Sequence, residues 1–258
     1  MLNFAAITPH PPIIVPGVGN QEDLTEVADT VDSMNKLAED FKKKKIATVI
    51  VLTPHGTLSE ETFNVHSSDC FTSSLPGALL SFDGNPELSD EIAELKNVKK
   101  IEDGSLDHGA SVPLYFFQQK SSGFNVVPIT FCMKSRKIHF NFGKRLFKLI
   151  QEKEEKIAVI ASGDLSHKLK PSAPAGYSEK GKEFDKNLID LLSKKDTEKI
   201  IEMDEKLISE AGQCGYRSIL ILLGVLSQID YGSEVLSYEG PFGVGYGVVK
   251  YNLKLDEN

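Results

Sequence analysis

Four of the six histidines in this chain stand just past an apolar run or in a glycine-rich loop. His10 follows the apolar residues 2–7 and His55 follows residues 46–52, each through the same tripeptide, Thr-Pro-His. His108 ends the turn-rich stretch Asp103-Gly104-Ser105-Leu106-Asp107, and His167 closes Ser162-Gly163-Asp164-Leu165-Ser166 after the apolar residues 157–161. Glu239, followed by Gly240 and Pro241, adds a carboxylate. Taken singly, each histidine is more often a hydrogen-bonded structural residue than a ligand. Four at strand ends, together with Glu239, point to a site. Two imidazoles and one carboxylate on one face of a metal leave several coordination positions open, which suits non-haem Fe(II) chemistry. A structural zinc site would fill its four positions, and no thiolate-rich set is available. Histidines left over after ligation would serve as general acid and base, because imidazole titrates near working pH.

The elements that must hold these residues are legible from periodicity. Residues 46–52 form an apolar, β-branched run of the kind buried on both faces of a sheet, and Thr53-Pro54 forces an extended exit. Leu24, Val27, Val31, Met34, Leu37, Ala38 and Phe41 recur at helical steps, with Asn20 as N-cap and Lys42 to Lys45 at the far end complementing the helix dipole. That helix joins strands 2–7 and 46–52 into a β-α-β unit with parallel strands and a right-handed crossover. Residues 63–82 read as a β excursion containing Pro76-Gly77. A helix at 87–94 and a short strand at 98–101 follow. Further on the pattern predicts a helix at 110–118, a strand at 124–131, a helix at 138–150 and a strand at 157–161. Residues 171–177 form a Pro/Gly/Ala loop able to rim a pocket. Helices are expected at 179–193, 197–203 and 217–226, the last apolar nearly all round, and two strands at 234–238 and 244–252. The strand over 244–249 fits the sheet or a dimer interface equally. His66 and His139 read as surface or boundary residues.

These patterns give an α/β class: a single domain over residues 1–258, with a largely parallel central sheet flanked by helices and a metal site at the carboxyl ends of the strands, where open α/β sheets bind ligands. A chain of 258 residues with 40% hydrophobic side chains can bury a full core. The net charge of -8 and the scattered basic residues argue against nucleic acid and anionic membrane as partners. Three cysteines without CxxC spacing fit a reducing cytoplasm. No segment approaches the ~20 apolar residues of a membrane span. The expectation is a soluble, cytoplasmic protein.

With these motifs in order, the sequence resembles the class III extradiol ring-cleavage dioxygenases, the family of the protocatechuate 4,5-dioxygenase catalytic subunit. The pieces that carry the resemblance are Pro9-His10-Pro11-Pro12, Pro54-His55-Gly56, Leu106-Asp107-His108-Gly109, Gly163-Asp164-Leu165-Ser166-His167 and Ser237-Tyr238-Glu239-Gly240-Pro241. The resemblance implies that His10, His55 and Glu239 bind Fe(II), that His167 is the main acid/base residue with His108 assisting, and that the substrates are a catechol-like aromatic and O2. Asp164 and Asp107 would orient the two catalytic histidines. Within the family, Glu210-Ala211-Gly212-Gln213-Cys214-Gly215-Tyr216-Arg217 is similar to the MEMO-like subgroup associated with radical-SAM proteins, whose members take a cysteine as third ligand. Cys214 therefore competes with Glu239, and the carboxylate is preferred here because it suits hard Fe(II). A homo-oligomer, a dimer, is expected, and the same likeness implies a radical-SAM-system partner and, as the alternative function, a metal-binding or redox accessory protein without ring-cleavage activity. Arg217 and Lys168 are the candidates to meet an acidic substituent.

Overall fold

The apolar runs of the sequence become the centre of one eight-stranded sheet. The computed structural model describes residues 1–75 and 78–254. In chain order the elements are β1 (Leu2–Thr8), α1 (Gln21–Glu26), α2 (Ala28–Lys44), β2 (Thr48–Thr53), β3 (Phe63–Ser67), β4 (Cys70–Leu75), β5 (Ala78–Asp83), α3 (Pro86–Ala93), β6 (Val98–Glu102) and α4 (His108–Gln118). They continue with β7 (Asn125–Thr130), α5 (Arg136–Gln151), β8 (Ile157–Ser162), α6 (Glu179–Lys194), α7 (Thr197–Glu202), α8 (Glu205–Ala211), α9 (Tyr216–Leu226), β9 (Asp230–Glu239) and β10 (Tyr246–Lys254). The sheet order is β6-β3-β7-β2-β8-β1-β10-β9, and β4 and β5 form a separate hairpin. The four central strands, β7, β2, β8 and β1, are parallel to one another. Antiparallel pairings join β3 to β7 on one side and β10 to β1 and β9 on the other.

Every residue of β2 and β8 is buried, as expected of strands covered on both faces. One layer packs α2 and α4 against Val49, Val51, Ala158 and Ile160. The other packs α5 and α9 against Ile50, Leu52, Val159 and Ala161, so alternate residues of each strand serve opposite layers. Helix α9 is buried at every residue except Arg217, which explains why its sequence shows no polar face.

Four expectations change or narrow. The β1-α2-β2 crossover is parallel, but β8 inserts between its two strands and pairs with both. The single helix expected over residues 24–41 breaks at Val27 into α1, opened by an Asn20–Asp23 capping box, and α2. The strand over 244–249 lies in the sheet, as β10 between β1 and β9. Pro76 and Gly77 lie outside the described residues. His66 and His139 are not surface residues: they are 4% and 0% exposed, His139 with its ring nitrogens beside the carbonyls of Ser135 and Cys132. Among the described residues no helix is long and apolar enough to cross a membrane.

Candidate metal centre

The parallel strands end level with one another, each on a buried hydroxyl residue. Thr8 lies beside Ser162 and Thr53 beside Thr130. Just past this row the chain turns upward and delivers His10 from β1 and His55 from β2, with their Nε2 atoms 3.2 Å apart. Ser162 fixes the tautomer of His10. Its hydroxyl donates to the carbonyl of Gly109, an obligate acceptor, and therefore accepts at 2.9 Å from His10 Nδ1–H. The lone pair is left on Nε2, the atom that faces His55. Such a supporting hydrogen bond orients a ligating imidazole and raises its basicity. Burial, and then the neighbouring His55, His108 and His167, push the pKa of His10 well down. Burial likewise lowers that of His55. Both rings are thus neutral near pH 7, the state a metal requires.

The third donor is Cys214, whose Sγ lies 3.5 Å from His10 Nε2; His10, His55 and Cys214 offer donor atoms all within 4.8 Å of one another. Two glycines back to back make this approach possible. A Cβ on Gly163, at the end of β8, would fall 2.0 Å from the Cα of Gly215, before α9. With both positions bare, the start of α9 seats directly on the strand end and brings Cys214 over the site. The peptide of Asp164 locks it there: its carbonyl accepts from Gly215 N–H at 3.0 Å and its N–H donates to Cys214 Sγ at 3.3 Å. Burial pushes the thiol pKa far up. A bound cation reverses that order, because a coordinating thiol is deprotonated by the ion's charge.

Glu239, expected as the third ligand, has a different place. Its Oε1 accepts from the backbone N–H of Thr30 at 2.7 Å and from the Thr30 hydroxyl. Helix α2 begins at Val27 with no side-chain cap of its own, so the carboxylate of a distant strand end satisfies one of its orphan N–H groups. With its carboxylate on Thr30, Glu239 is not among the three residues whose donor atoms cluster, His10, His55 and Cys214.

The two remaining histidines flank the group. His108 is the first residue of α4, its ring 4.1 Å from that of His55 and 5.3 Å from that of His10. Asp107 caps the helix by accepting from Ala110 N–H and also accepts from the Thr53 hydroxyl, so one carboxyl ties α4 to the end of β2. Gly109 is required at this junction, since a Cβ there would lie 2.4 Å from Thr53 Oγ1 and 3.2 Å from the His55 ring. His167 is half-buried, its Nδ1 has no partner among the described residues, and burial lowers its pKa. Asp164 does not orient His167. Its Oδ1 accepts from the His10 backbone N–H at 2.9 Å, and burial raises its pKa to about 7. Arg217 lies over the Phe131 ring and lines a pocket of about 300 Å³ with Lys134 and Arg136, whereas Lys168 packs its stem against Gly212.

The donor spacing fits an ion. Metal–nitrogen bonds of ~2.0–2.1 Å and a metal–sulfur bond of ~2.3 Å in a tetrahedral arrangement put two nitrogens roughly 3.3 Å apart and nitrogen and sulfur roughly 3.6 Å apart. The separations here are 3.2 and 3.5 Å. Imidazole suits zinc, copper, iron and nickel, and the thiolate makes the set softer than a carboxylate site would be. Three protein ligands leave room for substrate.

Comparison with known proteins identifies the family of the chain. Residues 4–249 match the family described as the catalytic LigB subunit of aromatic ring-opening dioxygenase, and the chain belongs to that family. It is 36% identical over 96% of its length to a protein of Clostridium acetobutylicum, and it spans 57% of that relative. An Escherichia coli 3,4-dihydroxyphenylacetate 2,3-dioxygenase is 27% identical, covering 80% of this chain and 83% of its own. A MEMO1 family protein of Methanococcoides burtonii is 25% identical over 80% of this chain and 76% of its own. In fold, an uncharacterised protein of Escherichia coli K12 superposes with a TM-score of 0.68 at 17% identity, covering 96% of this chain and 98% of that one.

Proposed function

We propose that this chain is a metal-dependent oxidoreductase in which His10, His55 and Cys214 hold an iron(II) ion and a small aromatic diol is opened with dioxygen. The observation that carries the reading is the convergence of these three donors at the carboxyl edge of the parallel strands, with two further histidines beside them. Bound iron(II) would supply adjacent open positions for diol and dioxygen, combining Lewis acidity with proximity. The chain's own residues handle the protons. His167, unprotonated near neutral pH because burial lowers its pKa, takes a proton from a substrate hydroxyl and returns it as the ring opens. His108, exposed at the mouth of the site, exchanges protons with solvent. Ser162 holds the His10 ring so that its lone pair faces the reacting centre.

A second reading is a metal-binding redox accessory protein of the MEMO type, working with a radical-SAM partner. The observation that favours it is Cys214 in the place where a carboxylate was expected. The two separate in one experiment on protein stripped with chelator, reloaded anaerobically with Fe(II) and mixed with a panel of catechols. Oxygen uptake with yellow ring-opened product, lost in His167→Ala while iron is retained, supports the dioxygenase. Full iron occupancy with no oxygen uptake on any catechol overturns it in favour of the accessory role.

A further inference from the structure

The segment that carries His167 has no helix or strand of its own and runs from the end of β8 at Ser162 to the start of α6 at Glu179. A charge on the His167 ring is felt at both His10 and His55, which places the ring beside the metal centre. In such a segment a side chain keeps its place through the bonds made by the residues around it. Ser166, the residue before His167, is held at every polar group. Its carbonyl accepts from Gly245 N–H at 2.8 Å, and its hydroxyl donates to the carbonyl of Ala211 at 2.8 Å and accepts from Lys168 N–H at 3.0 Å. Its own N–H donates at 2.8 Å to Oδ1 of Asp185.

Asp185 is the member of this set that packing does not require. The buried stripe of α6 runs through Gly181, Phe184, Asp185, Leu188 and Leu192, and Asp185 is its one acid. No cation pairs with it among the described residues, and a carboxyl buried without one is costly, so an apolar side chain would serve the stripe better. Two glycines make room for it all the same. A Cβ on Gly245 would fall 2.0 Å from Asp185 Oδ2, and one on Gly181 would fall 2.4 Å from Ser166 Oγ. The Tyr238 hydroxyl donates to Oδ2 at 2.8 Å and fixes the carboxyl from its other side. Oδ1 can accept from Ser166 whether or not the other oxygen carries a proton.

We propose that Asp185 is a positioning residue for His167, holding the Ser166 N–H and, through that peptide, setting the imidazole beside His10, His55 and Cys214. Being fully buried, it touches no substrate itself. The inference rests on the reading of His167 as the proton-handling group. It gives the orienting role to a carboxyl of α6 in place of Asp164, whose Oδ1 accepts from the His10 backbone.

The test uses the full-length, metal-free chain with labelled histidine, and reads the rings by nuclear magnetic resonance at fixed pH. It therefore reports on His167 whether or not the protein opens catechols. The His167 signal is the one that disappears in His167→Ala. In Asp185→Ala it should move and broaden while the buried His66 and His139 signals stay, and in Asp185→Asn, which keeps an acceptor oxygen, it should return to the parent position. On iron-loaded protein, Asp185→Ala should lose at least about tenfold in kcat with KM and bound iron within about twofold of the parent, and Asp185→Asn should recover most of the loss. A merely structural role would lower the unfolding midpoint of Asp185→Ala and leave its His167 signal and kcat unchanged, which overturns the proposal. Should Asp185→Ala fail to fold, the Ser166 amide of the parent decides: strong protection from hydrogen exchange supports the hold, and exchange at the rate of an exposed loop overturns it. A parent without catechol turnover counts against the dioxygenase reading alone, because the ring signals still decide the role of Asp185.

Discussion

The parallel centre of the sheet and its antiparallel wing, β9–β10, both end in polar residues near one edge of the molecule, yet they do different work. In the centre, strand ends on neighbouring parallel strands lie side by side, so His10 and His55 converge and the hydroxyl of Ser162 falls within reach of His10. In the wing, β9 pairs antiparallel with β10 and so runs in the same direction as β1 two strands away, and the carboxylate at its end meets the start of α2. Similar chemistry at the two ends is thus separated by the intervening strand β10, which sets the end of β9 two strands away from the end of β1. One builds a metal position and the other finishes a helix.

That contrast breaks most visibly at the ligands. Replacing His55 or Cys214 with alanine should lower metal affinity by more than the roughly 10–100-fold that a supporting residue costs, whereas Glu239→Gln should leave affinity within a fewfold of the parent. Equilibrium dialysis with metal analysis decides it, and metal loss in Glu239→Gln would erase the distinction. The supporting hydrogen bond comes next: Ser162→Ala should cost roughly 10–100-fold in affinity without loss of fold. Gly163→Ala sharpens the role of the glycine pair, because its methyl must push α9 off β8. A stability loss of about 1–3 kcal/mol in urea, with weaker metal binding, is expected.

Two smaller effects concern the wing. Asp185 bridges the regions, accepting from Ser166 N–H beside the site and from the Tyr238 hydroxyl of β9, and burial raises its pKa from 3.8 to about 7. The folded state therefore keeps this proton to higher pH than the unfolded chain. Its contribution is full below about pH 4 and is lost as pH rises to 7, on the order of a few kcal/mol at most. Asp185→Asn should flatten that decline, read as a gain in urea midpoint over the parent at pH 8 that is absent at pH 4. Glu239→Ala should cost about 1 kcal/mol, the usual size of a lost helix cap, with thermal unfolding as the readout.

Much of the site was readable because strands bury continuous apolar runs and must end on something polar. The repeated Thr-Pro-His tripeptides located His10 and His55 without any tertiary information. Ser162 escaped notice, although a signal was present: each central parallel strand ends on serine or threonine, at Thr8, Thr53, Thr130 and Ser162. Cys214 was visible as a competitor, and the cue that would have promoted it was the pair of glycines, Gly163 and Gly215, each beside a candidate residue. His66 was misread because strand β3 is short and its alternation weak, so burial on both faces left no mark in the pattern.

The sequence alone determined the layered α/β class, the family and the histidine pair, since hydrophobic period and strand-end chemistry are local properties of the chain. Only the tertiary structure brought Cys214 beside the histidine pair and Glu239 to the start of α2. That arrangement depends on whether a strand end and a helix start can touch at two bare glycines, and on which distant carboxylate an uncapped helix captures. Neither contact is encoded by the spacing of the residues that make it.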